Sequence, residues 1–205
     1  MEDIDKIIYI NLDRRKDRRQ EIEQEFIRMN IPEKKVLRFS AINNTYSPGS
    51  GCTESHLEVL KLAKQNNYKN VLIMEDDFSF LVSKDKLNSL LHTFFHSKIS
   101  YDVVMLSYNL VGKQLPYNDF LGKCVNVQSA SGYLVHSKFY DALICNLTDA
   151  LDKFMSHPYQ HWLYSHDQYW KTLQPFSEWF YFQERIGKQR KSYSDLGGRV
   201  VDYGC

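Results

Sequence analysis

The stretch VLIMEDDFSF (71–80) decides the fold, because it joins two patterns that rarely meet. Four consecutive apolar residues describe a strand buried on both faces, as in a parallel sheet covered by helices. Glu75, Asp76 and Asp77 follow at once, and Phe78 and Phe80 resume the apolar pattern. Adjacent carboxylates repel one another and raise at least one pKa unless a positive charge compensates. Two readings stand side by side: a solvated or capped strand end, and a cation site. If strand alternation continues through the cluster, Glu75 and Asp77 share one face, and Asp76 turns to the other to meet backbone amides or an arginine.

Outward from this strand, the first half alternates regularly. KIIYINL (6–12) is a β-rich run, and Ile22, Phe26 and Met29 then recur at helical spacing up to Pro32. VLRFSAI (36–42) supplies a second strand, and NNTYSPGSG (43–51) reads as packed turn chemistry. Leu57, Leu60, Leu62 and Ala63 mark a helix for which Thr53 or Ser55 could be the cap. KLNSLLHTFF and YDVVML add a further helix and buried strand. The β-α-β-α-β-α-β order predicts an α/β sandwich with a mainly parallel sheet. Beyond Leu110, KCVNVQSASGYLVHS holds one or two strands and FYDALICNLTDALDKF one or two helices, and the remainder is aromatic and irregular. The basic, glycine-containing tail from Lys188 reads as a mobile flap.

Composition narrows the function classes. The 205 residues fit one domain, and 43% hydrophobic with 14% aromatic content can build a sizeable core. With 26 basic and 25 acidic residues the net charge is +1, which is no footprint for duplex nucleic acid. No run is long enough to span a bilayer, and the Ile7–Ile10 run is too short for a signal peptide. Four dispersed cysteines without a CxxC pair read as reduced thiols in a cytoplasmic setting, not as a zinc site or a disulfide frame. The sequons at Asn43 and Asn146 carry little weight there. Usage rich in Asn, Lys and Tyr suits an AT-rich viral or bacterial genome. Oligomeric state is not legible.

Ligands of open α/β sheets bind beyond the carboxyl ends of the strands. That edge would gather residues 11–15, 40–43, 75–77 and 107–109. Arginines there can neutralise phosphates, small polar residues can hold a base and ribose, and carboxylates suit a hard cation such as Mn²⁺ or Mg²⁺. Within RRKDRR, Arg14 and Arg15 lie nearest the strand end and the positive helix N-terminus, while the other arginines read as a solvated helix face. His56 and His166 are each open to a ligand, a base or a structural role.

Seven segments in order resemble glycosyltransferase family 25, the lipooligosaccharide and collagen galactosyltransferase-like enzymes. They are IYINLDRRKDRR, SGCTESHLEVLKLA, NVLIMEDDFSF, YDVVMLSYN, SASGYLVHSKFYDALI, SHDQYW and QRKSYSDL. The resemblance implies a GT-A fold in a single domain over 1–205, with a nucleotide-sugar-binding half to about residue 110 and an acceptor half and C-terminal flap beyond. It implies a metal-dependent, inverting transfer of galactose or glucose from a UDP-sugar to a hydroxyl of a glycan or hydroxylated protein. Glu75 and Asp77 take the place of the metal motif, with Glu where the family motif has Asp. Asn11, Leu12, Arg15, Ser40 and Ala41 would lie against the nucleotide, Ser55 and His56 near the donor, and Gln189, Ser194 and Asp195 over it. Asp167 matches the family's downstream aspartate and would be the base, although it could equally cap the following helix. The match is weakest there, since His166 stands where the family often has Val, and residues 110–126 match nothing specific. Two other classes compete: a non-catalytic nucleotide- or glycan-binding module, and a metal-dependent phosphohydrolase using Asp13. The latter lacks its DxDx(T/V) context.

Overall fold

A computed structural model of the chain describes residues 1–194 and 198–205. Its elements are β1 (Lys6–Asn11), α1 (Lys16–Arg28), β2 (Val36–Ser40), α2 (Pro48–Gln65), β3 (Asn70–Glu75), β4 (Phe78–Phe80), α3 (Lys84–His96), β5 (Val103–Met105), β6 (Asn109–Leu110), β7 (Leu121–Lys123), β8 (Val127–Gln128) and β9 (Gly132–His136). There follow α4 (Tyr140–Ser156), α5 (His161–Tyr164), α6 (His166–Tyr169), β10 (Trp179–Phe182), β11 (Gly187–Gln189), β12 (Ser192–Ser194) and β13 (Arg199–Val201).

Among the described residues, seven strands form the central sheet in the order β2-β1-β3-β9-β5-β10-β7. β1 pairs parallel with both β2 and β3, and β10 pairs parallel with β5. β9 enters antiparallel between β3 and β5, and β7 is antiparallel on the far edge. Five strands therefore run one way, and their carboxyl ends, Asn11, Ser40, Glu75, Met105 and Phe182, share one edge of the sheet.

Alternation along the strands builds two cores. Ile8, Ile10, Val71 and Ile73 face α2 and α4 through Leu57, Leu60, Leu143 and Leu147. Ile7, Tyr9, Leu72 and Met74 face α1 and α3 through Ile22, Phe26, Leu87 and Leu91. Both faces of β3 are covered, as its uninterrupted apolar run predicts. Among the described residues, no helix is long and apolar enough to cross a membrane.

The structure corrects several local expectations. Helix α2 begins at Pro48, within the segment read as turns, because proline at the first helical position is pre-set for helical φ and lacks only an N–H that would be unpaired there. Thr53 and Ser55 are therefore interior rather than caps, and their hydroxyls donate to the carbonyls of Gly49 (3.1 Å) and Gly51 (2.7 Å). The aromatic run 179–182, read as irregular, is the fully buried strand β10. Within the tail, β11 pairs with β4, and β12 with β13.

Candidate functional site

β3 ends at Glu75, and Asp76 and Asp77 form the tight turn into β4. The alternation argument therefore stops one residue too early to place Asp76 and Asp77 on opposite faces. Both are buried, and a single guanidinium meets both: Arg18, in the first turn of α1, lies 3.0 Å from Asp76 Oδ1 and 3.1 Å from Asp77 Oδ2. Asn11 Nδ2, at the end of β1, donates to Asp76 Oδ2 at 2.7 Å. Gln189 Nε2, from β11, donates to Asp77 Oδ2 at 3.1 Å, and the Arg190 amide donates to the Asp77 carbonyl. Phe78 anchors the turn from below. A Cβ built at Gly187 would overlap its ring, so only glycine lets β11 approach this closely.

Asp77 Oδ1 is buried and has no hydrogen-bond partner among the described residues. Burial pushes the Asp77 carboxyl up to about 7, with Glu75 adding to the shift and Arg18 opposing it. Glu75 and Asp76 are likewise held above their ordinary range by burial. An orphaned carboxylate oxygen beside two further carboxyls, with Arg18 the cation that meets two of them, is a donor set that fits a hard divalent ion.

Glu75 turns to a different neighbourhood. His56 Nε2 lies 3.3 Å and Cys52 Sγ 3.8 Å from Glu75 Oε1. His56 Nδ1 is 2.8 Å from the Tyr133 hydroxyl, and the rings of His56 and His166 stack at 4.3 Å. Burial pushes His56 down to about 3 and His166 to about 4, His56 adding to the latter shift, so both are neutral near pH 7.

Two hollows meet at this edge. A pocket of about 140 Å³ is walled by Leu12, Arg14, Arg18, Ala41, Asn43, Ser55, the three carboxylates, Gln189 and Ser194. A cleft of about 690 Å³ is walled by Tyr46, Gln128, Tyr159, His166, Asp167 and Gln189. Both are lined by Cys52, Glu75 and Tyr203, so they adjoin at the carboxylate turn. Asp167 accepts from the Ser129 amide (3.2 Å) and from Ser165 Oγ (3.1 Å) at the start of α6.

Four expected contacts fall outside both walls. Asn11 stands behind Asp76, and His56 is fully buried behind Glu75. Arg15 forks onto Asp17 (2.7 Å) and donates to the Tyr193 carbonyl, and Ser40 is exposed at the end of β2. Ser55 reaches the pocket, but its hydroxyl is committed to Gly51 and to the Ile42 amide. Asp195 lies outside the described residues. Sequence reasoning missed Arg18 and Cys52. The one available signal was helical: Cys52 and His56 are four apart on one face of α2.

No family model matches the chain. No curated protein matches it either. Among solved structures, it is similar to a glycosyltransferase involved in glycosylation of the major capsid of PBCV-1, with TM-score 0.53, 8% identity and coverage of 90% of this chain and 92% of that one. Lesser likenesses are A197 from STIV (TM-score 0.47, 11% identity, 97% of this chain and 98% of that one) and the mannose-1-phosphate geranyltransferase of Thermus thermophilus (0.43, 8%, 89% and 58%). At such identities the likeness is one of fold, and the fold this chain adopts is of GT-A type.

Proposed function

We propose that the chain is a metal-dependent, inverting glycosyltransferase of the family 25 kind, transferring galactose or glucose from a UDP-sugar to a hydroxyl of a glycan or hydroxylated protein. The observation that carries this reading is the buried Asp77 Oδ1, without a hydrogen-bond partner among the described residues, in a carboxylate turn between a pocket and a cleft at the ligand edge of a GT-A fold. The likeness to a protein described as a capsid glycosyltransferase is in keeping with it. Residues up to about 110 would form the nucleotide-sugar half and the rest the acceptor half.

In this reading Leu12, Ala41 and Ser194 line the nucleotide pocket, and Arg14 faces the diphosphate. Asp77 and Glu75 would hold a divalent cation (Mn²⁺ or Mg²⁺), which when bound would supply charge neutralisation to the leaving diphosphate. Asp167 faces the acceptor cleft and takes the proton of the attacking hydroxyl as the new bond to the anomeric carbon forms and the bond to the diphosphate breaks. Exposed Tyr159 and Tyr46 offer aromatic faces to an acceptor sugar.

Calorimetric titration with UDP, with and without Mn²⁺, tests the site. Binding that requires Mn²⁺ is expected, and binding indifferent to EDTA would remove the metal from the carboxylates. A panel of nucleotide-sugars, scored for hydrolysis without acceptor, then identifies the donor. Metal-dependent UDP binding with no turnover of any donor or acceptor would assign a non-catalytic binding module.

A further inference from the structure

The neighbourhood of Glu75 holds a second constellation that the sugar-transfer reading does not use. A thiol (Cys52), two imidazoles (His56, His166) and a carboxylate (Glu75) present ligand atoms that all lie within 4.8 Å of one another. They come from three packed elements: one turn of α2, the end of β3 and the start of α6. Two of the separations, 3.3 and 3.8 Å, already match the edge of a tetrahedron with bonds of about 2.0–2.3 Å to zinc, roughly 3.3–3.8 Å. The remaining separations, each at most 4.8 Å, need to close by up to about 1.5 Å.

A second observation points to a ligand. His166 is 6% exposed, and its Nε2 is buried without a hydrogen-bond partner among the described residues. Its tautomer follows from Thr53. That hydroxyl donates its hydrogen to the Gly49 carbonyl, so toward His166 Nδ1, at 3.4 Å, it can only accept. With that hydroxyl committed, a proton on Nδ1 satisfies the contact and leaves Nε2 a lone pair without a hydrogen-bond partner among the described residues. His56 is arranged in parallel, with the Tyr133 hydroxyl on Nδ1 and Nε2 in the cluster. A hydroxyl on the far nitrogen of each histidine is the outer shell that metal-bound imidazoles use to fix ring and tautomer.

We propose that Cys52, His56, Glu75 and His166 bind a divalent ion of zinc type, distinct from the cation assigned to the diphosphate. Thiolate and imidazole donors select Zn²⁺ over Mg²⁺ or Mn²⁺, and thiolate plus carboxylate neutralise the divalent charge. Four protein ligands close the coordination sphere, so the ion is structural. It ties α6, and with it Asp167, to the end of β3, and Glu75 has its second oxygen left for the other cation. The proposal stands whether or not the chain transfers sugar.

The test uses the full chain, stripped by chelator under reducing conditions and titrated with Co²⁺ alone. One equivalent should give a thiolate-to-cobalt charge-transfer band and the intense visible bands of four-coordinate Co²⁺, both abolished by Zn²⁺. Cys52→Ser should lose the charge-transfer band, Cys145→Ser should keep it, and Tyr133→Phe should weaken Co²⁺ binding about 10–100-fold. Asp77→Asn should keep the band while losing Mn²⁺-dependent UDP binding, which separates the two sites. A wild-type spectrum of weak six-coordinate type, or a band that survives in Cys52→Ser, overturns the proposal. The wild-type spectrum decides even if a variant fails to fold, and far-UV circular dichroism checks each variant.

Discussion

Replacing Arg18 by methionine keeps most of the side chain's length and removes only the guanidinium. In the native chain that group bridges Asp76 at 3.0 Å and Asp77 at 3.1 Å, with side-chain exposures of 12%, 8% and 5% for the three residues. It also donates to Ser192 Oγ (2.6 Å) and to the Tyr193 carbonyl (2.8 Å), so α1, the carboxylate turn and β12 hang on one cation. Removing one partner of a buried ion pair costs about 3–5 kcal/mol, because the other partner is left charged and desolvated. The lower end applies here, since Asp77 already sits at about 7 and can take a proton instead. About 3 kcal/mol lowers the melting temperature of a chain of this size by roughly 6–12 °C. The sign with pH follows from linkage. Without Arg18 the folded-state pKa of Asp77 rises further above its ordinary value, so the loss is largest at pH 8 and smallest at pH 5. Melting curves in EDTA at both pH values measure this, and added Mn²⁺ should recover part of the loss by replacing the missing charge. A variant melting within 2 °C of wild type at pH 8 would refute the view that Arg18 compensates the cluster.

Three further outcomes can be checked alongside. Gly187→Ala forces a methyl group into the Phe78 ring and should cost about 1–3 kcal/mol, read by urea denaturation, with weaker Mn²⁺-dependent UDP binding because the carboxylate turn shifts. Asp167→Asn should lower transfer about 10²–10⁴-fold while UDP affinity is unchanged, and full activity would remove it as the base. In the metal-free chain Asp77, raised to about 7, binds its proton more tightly folded than unfolded, so the stability it contributes is lost as pH rises from about 4 to 7 and changes little above that. His56 and His166, lowered to about 3 and 4 from an ordinary 6.5, act in the opposite sense and cost stability as pH falls below about 6.5. Asp77→Asn removes the first contribution, so in EDTA the variant should gain stability relative to wild type as pH rises from 5 to 7, and a melting difference that does not change with pH over that range would contradict the raised Asp77 carboxyl.

The fold was legible where burial leaves a local mark. Strands β1, β3 and β5 carry apolar runs because both their faces are covered, and α1, α3 and α4 show helical spacing because only one of theirs is. The insertion of β9 between β3 and β5 left no such mark, since alternation says nothing about which strand is the neighbour or which way it runs. β10 was missed for a different reason. Its four aromatic residues sit among other aromatics, some exposed like Phe176 and some buried like Trp170, and composition cannot separate the two. The start of α2 was hidden by Gly49 and Gly51, which usually mark turns. Here the absence of a Cβ at Gly51 admits the Ile42 carbonyl, which would lie 2.6 Å from one.

The same contrast governs the site. Residues at strand ends could be placed from strand direction alone, because a parallel sheet delivers every carboxyl end to one edge. Glu75 and its two neighbours needed nothing more. Residues on helices depend on where the helix begins, since each position turns the side chain about 100°. Among Arg14, Arg15, Arg18 and Arg19, a one-residue shift in the start of α1 changes which guanidinium points at the carboxylates, and boundaries are the least legible feature of any helix. Because α1 begins at Lys16, Arg18 faces Asp76 and Asp77, while Arg19 turns outward to Glu23 at 2.8 Å. The Cys52–His56 pair had a readable spacing, but His166, whose ring stacks on His56 at 4.3 Å, lies more than half the chain away in sequence. A carboxylate edge can thus be read from sequence as a place. The cation that balances it, and the histidine that completes its neighbour, are set by rotations and chain returns that no local pattern encodes.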